Sequence, residues 1–236
     1  MLQSLSIVTI TYNNPEELLN TYNSLESFRK AGGQHIIVNG GTTINHLIGD
    51  DCFLLEEPDK GIYDALNKGI ELVQTPYLML IHSGDFLIAP LNVLEKQLNK
   101  MREEQFDMML NDCTIEFGKV KRLMSAKNWR PWMFKLGAQP PHPPIIYRRN
   151  FIAPFHYDIA HPIIADFKYL EELFSIEVKY DYGDELLIHM TGGGATSSGI
   201  TSFLEVTKQF KKLKGAKKMI VFTLFRPLIK ACLMLK

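Results

Sequence analysis

The chain has 236 residues, of which 46% are hydrophobic and 22% charged, and its formal net charge at pH 7 is zero. This composition excludes an intrinsically disordered protein and suits one α/β domain with an appendage. The three cysteines are widely spaced, which excludes a disulfide framework and favours a reducing compartment.

The first apolar run, Leu5–Thr11, is rich in β-branched residues and predicts a strand that is buried on both faces. The segment before it carries no basic residue, so we predict no secretion signal. Asn14 as N-cap, Pro15 at the first helical position and Glu17 at the capping-box position predict a helix that runs to about Lys30.

Strand and helix patterns then alternate. This alternation predicts right-handed crossovers and a mainly parallel sheet. Strands are predicted at residues 34–38, 52–55 and 77–81. One helix is predicted from about residue 62, with a single apolar face, and another at 90–104.

The pattern changes after Gln105. We predict a β-hairpin at residues 107–116 and 119–124, a strand at 145–148, a helix at 162–174 and a strand at 185–190. Residues 192–194 are all glycine and predict a mobile loop that closes over a ligand. From Thr201 the pattern is helical to residue 236.

The last segment is basic. Residues 208–236 contain nine Lys or Arg and no acid, which leaves 17 basic against 26 acidic side chains in the other 207 residues. The apolar runs of this segment are shorter than the ~20 residues that a membrane-spanning helix needs. We predict that residues 202–236 form a basic amphipathic helical tail on an anionic membrane surface. The alternative is a helix packed on the body. Nucleic acid is not an expected partner, since the chain carries no motif for it.

Three segments resemble the family 2 glycosyltransferases of the GT-A group. They are residues 6–14 (SIVTITYNN), 57–69 (EPDKGIYDALNKG) and 82–85 (HSGD), and the second is similar to a segment of the bacterial surface-polysaccharide branch. The resemblance covers about residues 5–194. It implies an α/β, Rossmann-like GT-A fold with a mixed, mainly parallel sheet flanked by helices. The expected domain is residues 1–201, with a nucleotide-sugar half at 1–105 and an acceptor half at 106–201.

Sugar transfer from a nucleoside diphosphate requires a neutralised leaving group, an aligned acceptor and a base for the acceptor hydroxyl. The resemblance implies that Asp85 binds a divalent metal, Mn²⁺ or Mg²⁺, at the end of a strand. Ser83 stands where many relatives have a first acid, and His82 where the branch has Asn. The alternative for Asp85 is a turn-capping role.

The resemblance also implies a donor-binding set. Its members are Thr11, Asn13 and Asn39 for the base and ribose, Asp59, Lys60 and Gly61 before a helix N-terminus that favours anions, and Asn67 and Ser83. Relatives have Asp in place of Asn39. The side-chain amide of Asn39 can donate as well as accept hydrogen bonds, whereas a carboxylate can only accept them. The expected sugar donor is a uridine diphosphate sugar. Ordinary turn and cap chemistry is the alternative for these residues.

Asp166 is the candidate catalytic base, because a carboxylate in an apolar stretch has a raised pKa. The alternative role for Asp166 is helix capping. The alternative residues for the base are Asp158 and Glu171. The expected contacts to the acceptor or the diphosphate are His142, Arg148 and Arg149.

We therefore expect an inverting glycosyltransferase that is peripheral on the cytoplasmic face of a cell membrane. Its acceptor would be a lipid-linked glycan of a surface polysaccharide, such as O-antigen, capsule or exopolysaccharide. One alternative is a membrane-associated nucleotide-sugar-binding protein without transfer activity. A sugar nucleotidyltransferase is a weaker one, since it needs a Gly-rich basic loop that residues 12–15 lack. The sequence leaves the oligomeric state and the sugar open.

Overall fold

A computed structural model describes residues 1–118, 120–191 and 207–208. Nine strands form one sheet in this part of the chain: β1 Leu5–Thr11, β2 Gln34–Asn39, β3 Phe53–Glu56, β4 Tyr77–Leu80, β5 Phe86–Leu87, β6 Met108–Phe117, β7 Val120–Met124, β8 Ile146–Arg148 and β9 Tyr180–Met190. The α-helices are α1 Pro15–Ser24, α2 Glu26–Lys30, α3 Ile62–Leu72, α4 Leu91–Glu104, α5 Arg149–Ile152 and α6 Ala165–Leu173. Short 3₁₀ helices occupy Leu2–Ser4, Ala126–Asn128 and Pro131–Leu136.

The sheet order is β3-β2-β1-β4-β8-β6-β9-β5, with β7 paired to β6. Strands β1 to β4 pair in parallel, and β8 is antiparallel to both β4 and β6. Strand β9 is parallel to β6, and β5 is antiparallel to β9. The predicted mixed, mainly parallel sheet is confirmed.

The sheet separates two apolar layers. Strand β1 is buried along its whole length, so alternate residues face opposite layers. Val8 and Ile10 pack with Leu66 of α3 and the residues of α6, whereas Ile7 packs with Phe28 of α2 and with α4. Helix α3 approaches β1 closely at Gly69, where a Cβ would lie 2.3 Å from a methyl carbon of Val8.

Several predicted boundaries differ from the observed ones. The first predicted helix divides at Leu25 into α1 and α2. The Asn14 N-cap is confirmed, since its side chain accepts a hydrogen bond from the Glu17 amide at 3.4 Å. Helix α6 begins three residues later than predicted, and β9 begins five residues earlier because its polar first half pairs with β6.

The sheet continues through both predicted halves of the body. Gln105, at the predicted boundary, ends α4 in the left-handed conformation (φ 58°). The division at residue 105 stays a prediction, and the predicted glycine loop at 192–194 lies outside the described residues, as does the predicted tail apart from residues 207–208. Within the described ranges, no helix combines the length and the apolar character needed to cross a membrane.

Candidate functional site

The predicted donor residues follow strands that end at the same edge of the sheet. The amide of Gly40, after β2, donates to the Thr11 carbonyl at the end of β1 over 3.2 Å. The amide of Ser83, after β4, donates to the Ile10 carbonyl over 3.2 Å. These bonds bring the loops after β1, β2 and β4 together, as expected for the ligand-binding edge of an α/β sheet.

Asn39 organises the loop after β2. Its amide nitrogen donates to the Thr42 carbonyl (2.7 Å) and to Glu56 Oε1 (3.1 Å), and its Oδ1 accepts from the Gly41 amide (3.0 Å). Both of its amide hydrogens are therefore engaged within the protein. Since Asn39 is also only 1% exposed, it supports the loop, whereas a direct contact with the base or ribose was expected.

Asn13 and Glu56 complete this loop. Asn13 has a left-handed backbone (φ 51°), and its Oδ1 accepts from the Thr42 amide over 2.9 Å. Glu56, which the sequence reasoning did not select, accepts from the Ile44 amide over 2.6 Å as well as from Asn39. An acid at the end of a predicted strand is the one signal by which it could have been found.

The Asp59–Gly61 segment meets the same loop. Asp59 Oδ1 accepts from the Gly61 amide (2.8 Å), and its Oδ2 fills the space beside Gly40, where a Cβ would lie 1.7 Å away. Gly61 has φ 113°, a conformation that favours glycine, and α3 begins directly after it. The Lys60 amide donates to Asp64 Oδ2 over 3.0 Å. The structure thus places Asp59, Lys60 and Gly61 next to the loops after β1 and β2.

Asn67 lies farther along α3 and points to another partner. Its Nδ2 donates to the Tyr157 carbonyl (3.0 Å), and its Oδ1 accepts from the Tyr157 amide (2.8 Å). The ring of Tyr157 lies between those of Tyr63 and Tyr169, with centroids 5.4 and 4.2 Å away. Asn67 therefore fixes a buried aromatic stack, whereas the sequence placed it in the donor set.

The turn after β4 holds Asp85 under the surface. The Thr21 hydroxyl of α1 donates to the Asp85 carbonyl over 2.8 Å and accepts from the Gly84 amide over 2.9 Å. Asp85 is 5% exposed. Burial raises the pKa of its carboxyl group to about 7, although the backbone amides of His82 and Thr191 act in the opposite direction. The hydroxyls of Ser83 and Thr11 are buried without a hydrogen-bond partner among the described residues.

The surroundings of Asp85 can be compared with those that a divalent metal requires. No group of three or more His, Cys, Asp or Glu side chains is placed to hold an ion in the described ranges. One carboxylate completed by substrate phosphates is, however, a usual mode for Mg²⁺. The charge of Asp85 is costly in its buried position, and a cation would offset that cost. Asp85 fits a metal that is shared with a bound diphosphate.

Asp166 lies in the first turn of α6 and receives three hydrogen bonds. Its Oδ1 accepts from the Tyr63 hydroxyl (3.3 Å) and the Phe167 amide (2.8 Å), and its Oδ2 accepts from Gln139 Nε2 (2.7 Å). Burial raises the pKa of Asp166, and these three donors limit the rise. In contrast, Lys168 beside Asp158 holds the pKa of that carboxyl at about 2, which makes Asp158 a poor base.

Two histidines lie in this region, the half-buried His82 and the buried His142. His142 is 7% exposed, and its Nε2 is 2.7 Å from the Tyr157 hydroxyl. Burial lowers the pKa of His82 and of His142 to about 4, and the charge of Asp166 acts against that shift at His82. Both histidines are neutral near pH 7. His82 therefore brings the turn that carries Asp85 within electrostatic range of Asp166.

Arg148 and Arg149 lie at the opposite edge of the sheet. Arg148 pairs with Tyr77 at the start of β4 and forms an ion pair with Asp107. The Arg149 amide donates to the Pro76 carbonyl over 2.8 Å. Because β8 is antiparallel to β4, its last residues meet the first residues of β4. The structure thus places these arginines away from the loops after β1, β2 and β4, and their expected contact with the acceptor or the diphosphate stays a prediction.

Besides Glu56, three residues around Asp166 were not selected from the sequence. Tyr63 lies one helical turn before Asn67, and this spacing could have placed the two side chains on one face. Gln139 and Tyr157 belong to irregular segments, and no periodic pattern marks them. All three surround Asp166 or the aromatic stack beside it.

The comparisons with known proteins agree with this architecture. Residues 6–174 match the profile of glycosyl transferase family 2. Two curated relatives, the uncharacterized glycosyltransferases MT1564 and Rv1514c of Mycobacterium tuberculosis (strains CDC 1551 / Oshkosh and ATCC 25618 / H37Rv), are each 32% identical over 94 residues. That match covers 37% of this chain and 36% of each relative, so the chain spans about a third of the length of these relatives.

Solved structures share the fold at low sequence identity. TarS 1–349 from S. aureus superposes with a TM-score of 0.65 at 13% identity, over 94% of this chain and 70% of that one. The mannosyltransferase PcManGT from Pyrobaculum calidifontis, in complex with GDP-Man and Mn²⁺, gives a TM-score of 0.62 at 11% identity, over 98% and 72%. The fold is therefore the GT-A fold, and the profile match over most of the sequence shows that the chain belongs to glycosyl transferase family 2.

Proposed function

We propose that this protein transfers a sugar from a nucleoside diphosphate sugar to a hydroxyl acceptor. The observation that carries the proposal is that the turn after β4 relates two carboxylates. It contains the buried Asp85, and its His82 lies within electrostatic range of Asp166. S. aureus TarS was solved in complex with UDP-GlcNAc, and a uridine diphosphate sugar is the donor we propose here.

Asp166 acts as the base in this proposal. The acceptor hydroxyl donates its proton to the carboxylate while its oxygen bonds to the anomeric carbon, and the bond from that carbon to the diphosphate breaks. An in-line attack of this kind inverts the anomeric configuration. A pKa raised by burial suits proton abstraction near neutral pH.

The donor lies against the loops after β1, β2 and β3. Asp59 receives the nucleoside, and the Lys60–Gly61 turn presents the start of α3 to the diphosphate, where the helix dipole favours anions. Asp85 would hold a divalent ion, Mn²⁺ or Mg²⁺, and the ion would neutralise the leaving diphosphate. Tyr12, which is 66% exposed beside these loops, offers a ring for stacking.

Replacing the proposed base tests the reaction. We expect Asp166→Asn to lower transfer at least ~100-fold, because an amide does not accept the hydroxyl proton. The readout is product formation with a panel of nucleotide sugars and saccharide acceptors. Asp158→Asn is the matched control, since Asp158 is bound to Lys168 and should not be needed. Retained turnover in Asp166→Asn at an unchanged melting temperature would move the base elsewhere.

The acceptor and the location are finer proposals. The basic composition of residues 208–236 supports a lipid-linked glycan acceptor at the cytoplasmic face of a membrane, within surface-polysaccharide synthesis. We expect the full chain to sediment with anionic phosphatidylglycerol vesicles and less with phosphatidylcholine vesicles. Replacing four lysines of this segment by glutamine should abolish the difference. Equal sedimentation with both vesicle types would remove the support for membrane association.

One observation favours a second function. Asp85 is a single carboxylate, and no three-residue metal group is formed in the described ranges. A protein that binds nucleotide sugars without transferring them needs no metal site beyond one such carboxylate. Nucleotide binding without turnover over the whole donor panel would favour that function.

A further inference from the structure

The two oxygens of the Asp166 carboxylate are not equally engaged. Oδ1 accepts from two donors, the Tyr63 hydroxyl (3.3 Å) and the Phe167 amide (2.8 Å). Within the described residues, Oδ2 accepts from Gln139 Nε2 alone (2.7 Å). A carboxylate oxygen has two lone-pair directions, so Oδ2 retains one for another donor. The acceptor hydroxyl of the proposed reaction fits that direction.

Gln139 is well placed to fix the rotation of this carboxylate. It follows Ala138, whose carbonyl accepts from the indole of the buried Trp129 (3.1 Å) and whose amide donates to the Met133 carbonyl (3.1 Å). It precedes Pro140 and Pro141, which restrict the backbone. The loop therefore presents the Gln139 amide to Asp166 from a stiff segment. Its Oε1 is buried without a partner in the part of the chain that is described.

We propose that Gln139 is the positioning residue for Asp166, and that it orients the carboxylate so that a free Oδ2 lone pair faces the acceptor hydroxyl. This inference rests on the proposed glycosyltransferase function. Gln139 does not itself contact the reacting atoms in this proposal. It acts through the hydrogen bond to Asp166.

The amide suits both protonation states of the base. Nε2 donates to one lone pair of Oδ2 before the proton transfer, and this hydrogen bond can persist once the other lone pair has taken the proton. A glutamate cannot donate unless it is protonated, and a leucine cannot donate at all. The other titratable groups that face Asp166 are His82, Tyr63, Tyr147 and Tyr157, and the variants below leave them unchanged.

The test compares Gln139→Leu and Gln139→Glu in the full chain. Loss of the donor should raise the pKa of Asp166, so the acidic limb of the pH profile of kcat/KM should move up by about one pH unit in Gln139→Leu. It should move farther in Gln139→Glu, because two neighbouring carboxylates share one proton. We expect kcat to fall about tenfold and the donor KM to stay within about twofold of the original. Gln105→Leu, at an exposed position, is the control and should keep the original profile.

A second readout does not depend on turnover. The carboxyl ¹³C shift of Asp166, identified by its loss in Asp166→Asn, should titrate about one pH unit higher in Gln139→Leu. An unchanged midpoint in both Gln139 variants would overturn the inference, and so would a fall in kcat accompanied only by a lower melting temperature. If the original protein transfers no sugar at all, the proposed function fails. The ¹³C titration would still show whether Gln139 controls the carboxylate.

Discussion

The two aspartates of the site show how environment divides the roles of one residue type. Asp85 is fixed through backbone contacts, and burial raises the pKa of its carboxyl group to about 7. Asp166 is held by three donors that stabilise its ionised form. The proposed reaction needs one carboxylate that binds a cation, here Asp85, and one that accepts a proton, here Asp166.

The metal prediction belongs to Asp85. We expect UDP to raise the melting temperature of the protein in Mn²⁺ and to lose that effect in a chelator, because one carboxylate and the diphosphate share the ion. A ligand at about 100 times its dissociation constant stabilises a fold by about 2.7 kcal/mol. Asp85→Asn should abolish the metal dependence without unfolding the chain. An equal UDP effect with and without metal would contradict the prediction.

The positions of some candidate site residues were predictable from the sequence, and those of others were not, for physical reasons. Asp59 and Asp85 follow predicted strands, and strand ends meet at one edge of a parallel sheet, so their shared location was predictable. Arg148 follows a predicted strand too, but its location depends on the direction of β8. That direction is set by pairing with β4 and β6, which no local pattern shows.

At the scale of elements, α3 connects the two parts of the site. Its first turn follows the Asp59–Gly61 segment, Tyr63 donates to Asp166, and Asn67 holds Tyr157. The helix and its apolar face were predictable from periodicity. The partner of Asn67 was not, because the segment around Tyr157 is irregular and reaches α3 only through tertiary packing.

We expect Asn67→Ala to lower the free energy of unfolding by about 1–3 kcal/mol, since the Tyr157 amide and carbonyl lose their partner. Urea denaturation measures this effect. Asn92→Ala, at an exposed position of α4, is the control and should change the free energy by less than about 0.5 kcal/mol. Weaker donor binding at unchanged stability would return Asn67 to the donor set that the family resemblance implies.

At the scale of the whole molecule, burial of neutral histidines makes stability depend on pH. His35 is a buried residue of β2, with Nε2 3.0 Å from the Thr9 hydroxyl of β1, and burial lowers its pKa to about 3. His82 and His142 have pKa values lowered to about 4. The unfolded chain binds protons below its histidine pKa of about 6.5, whereas the folded chain does not, so stability falls as pH falls through this window.

His35 provides a test that is remote from the catalytic pocket. Each such histidine should lower the free energy of unfolding by about 1.4 kcal/mol per pH unit between about pH 6 and pH 4. His35→Gln retains a donor for Thr9 and does not titrate, so its stability should depend less steeply on pH. Denaturation at pH 7, 6 and 5 measures the slopes, with the exposed His46→Gln as control. Parallel curves for His35→Gln and the original protein would contradict the prediction.

The parallel pairing of β6 with β9 has a consequence for the order of folding. Met108 pairs with Tyr180, so one flank of β6 stays open until a distant segment arrives, while β7 and β8 pair with β6 earlier in the chain. Pairing over such a separation is slow, and an open apolar strand flank invites association with other chains. Fragments that end between α6 and β9 should therefore aggregate during refolding, even though they contain every carboxylate assigned to the site.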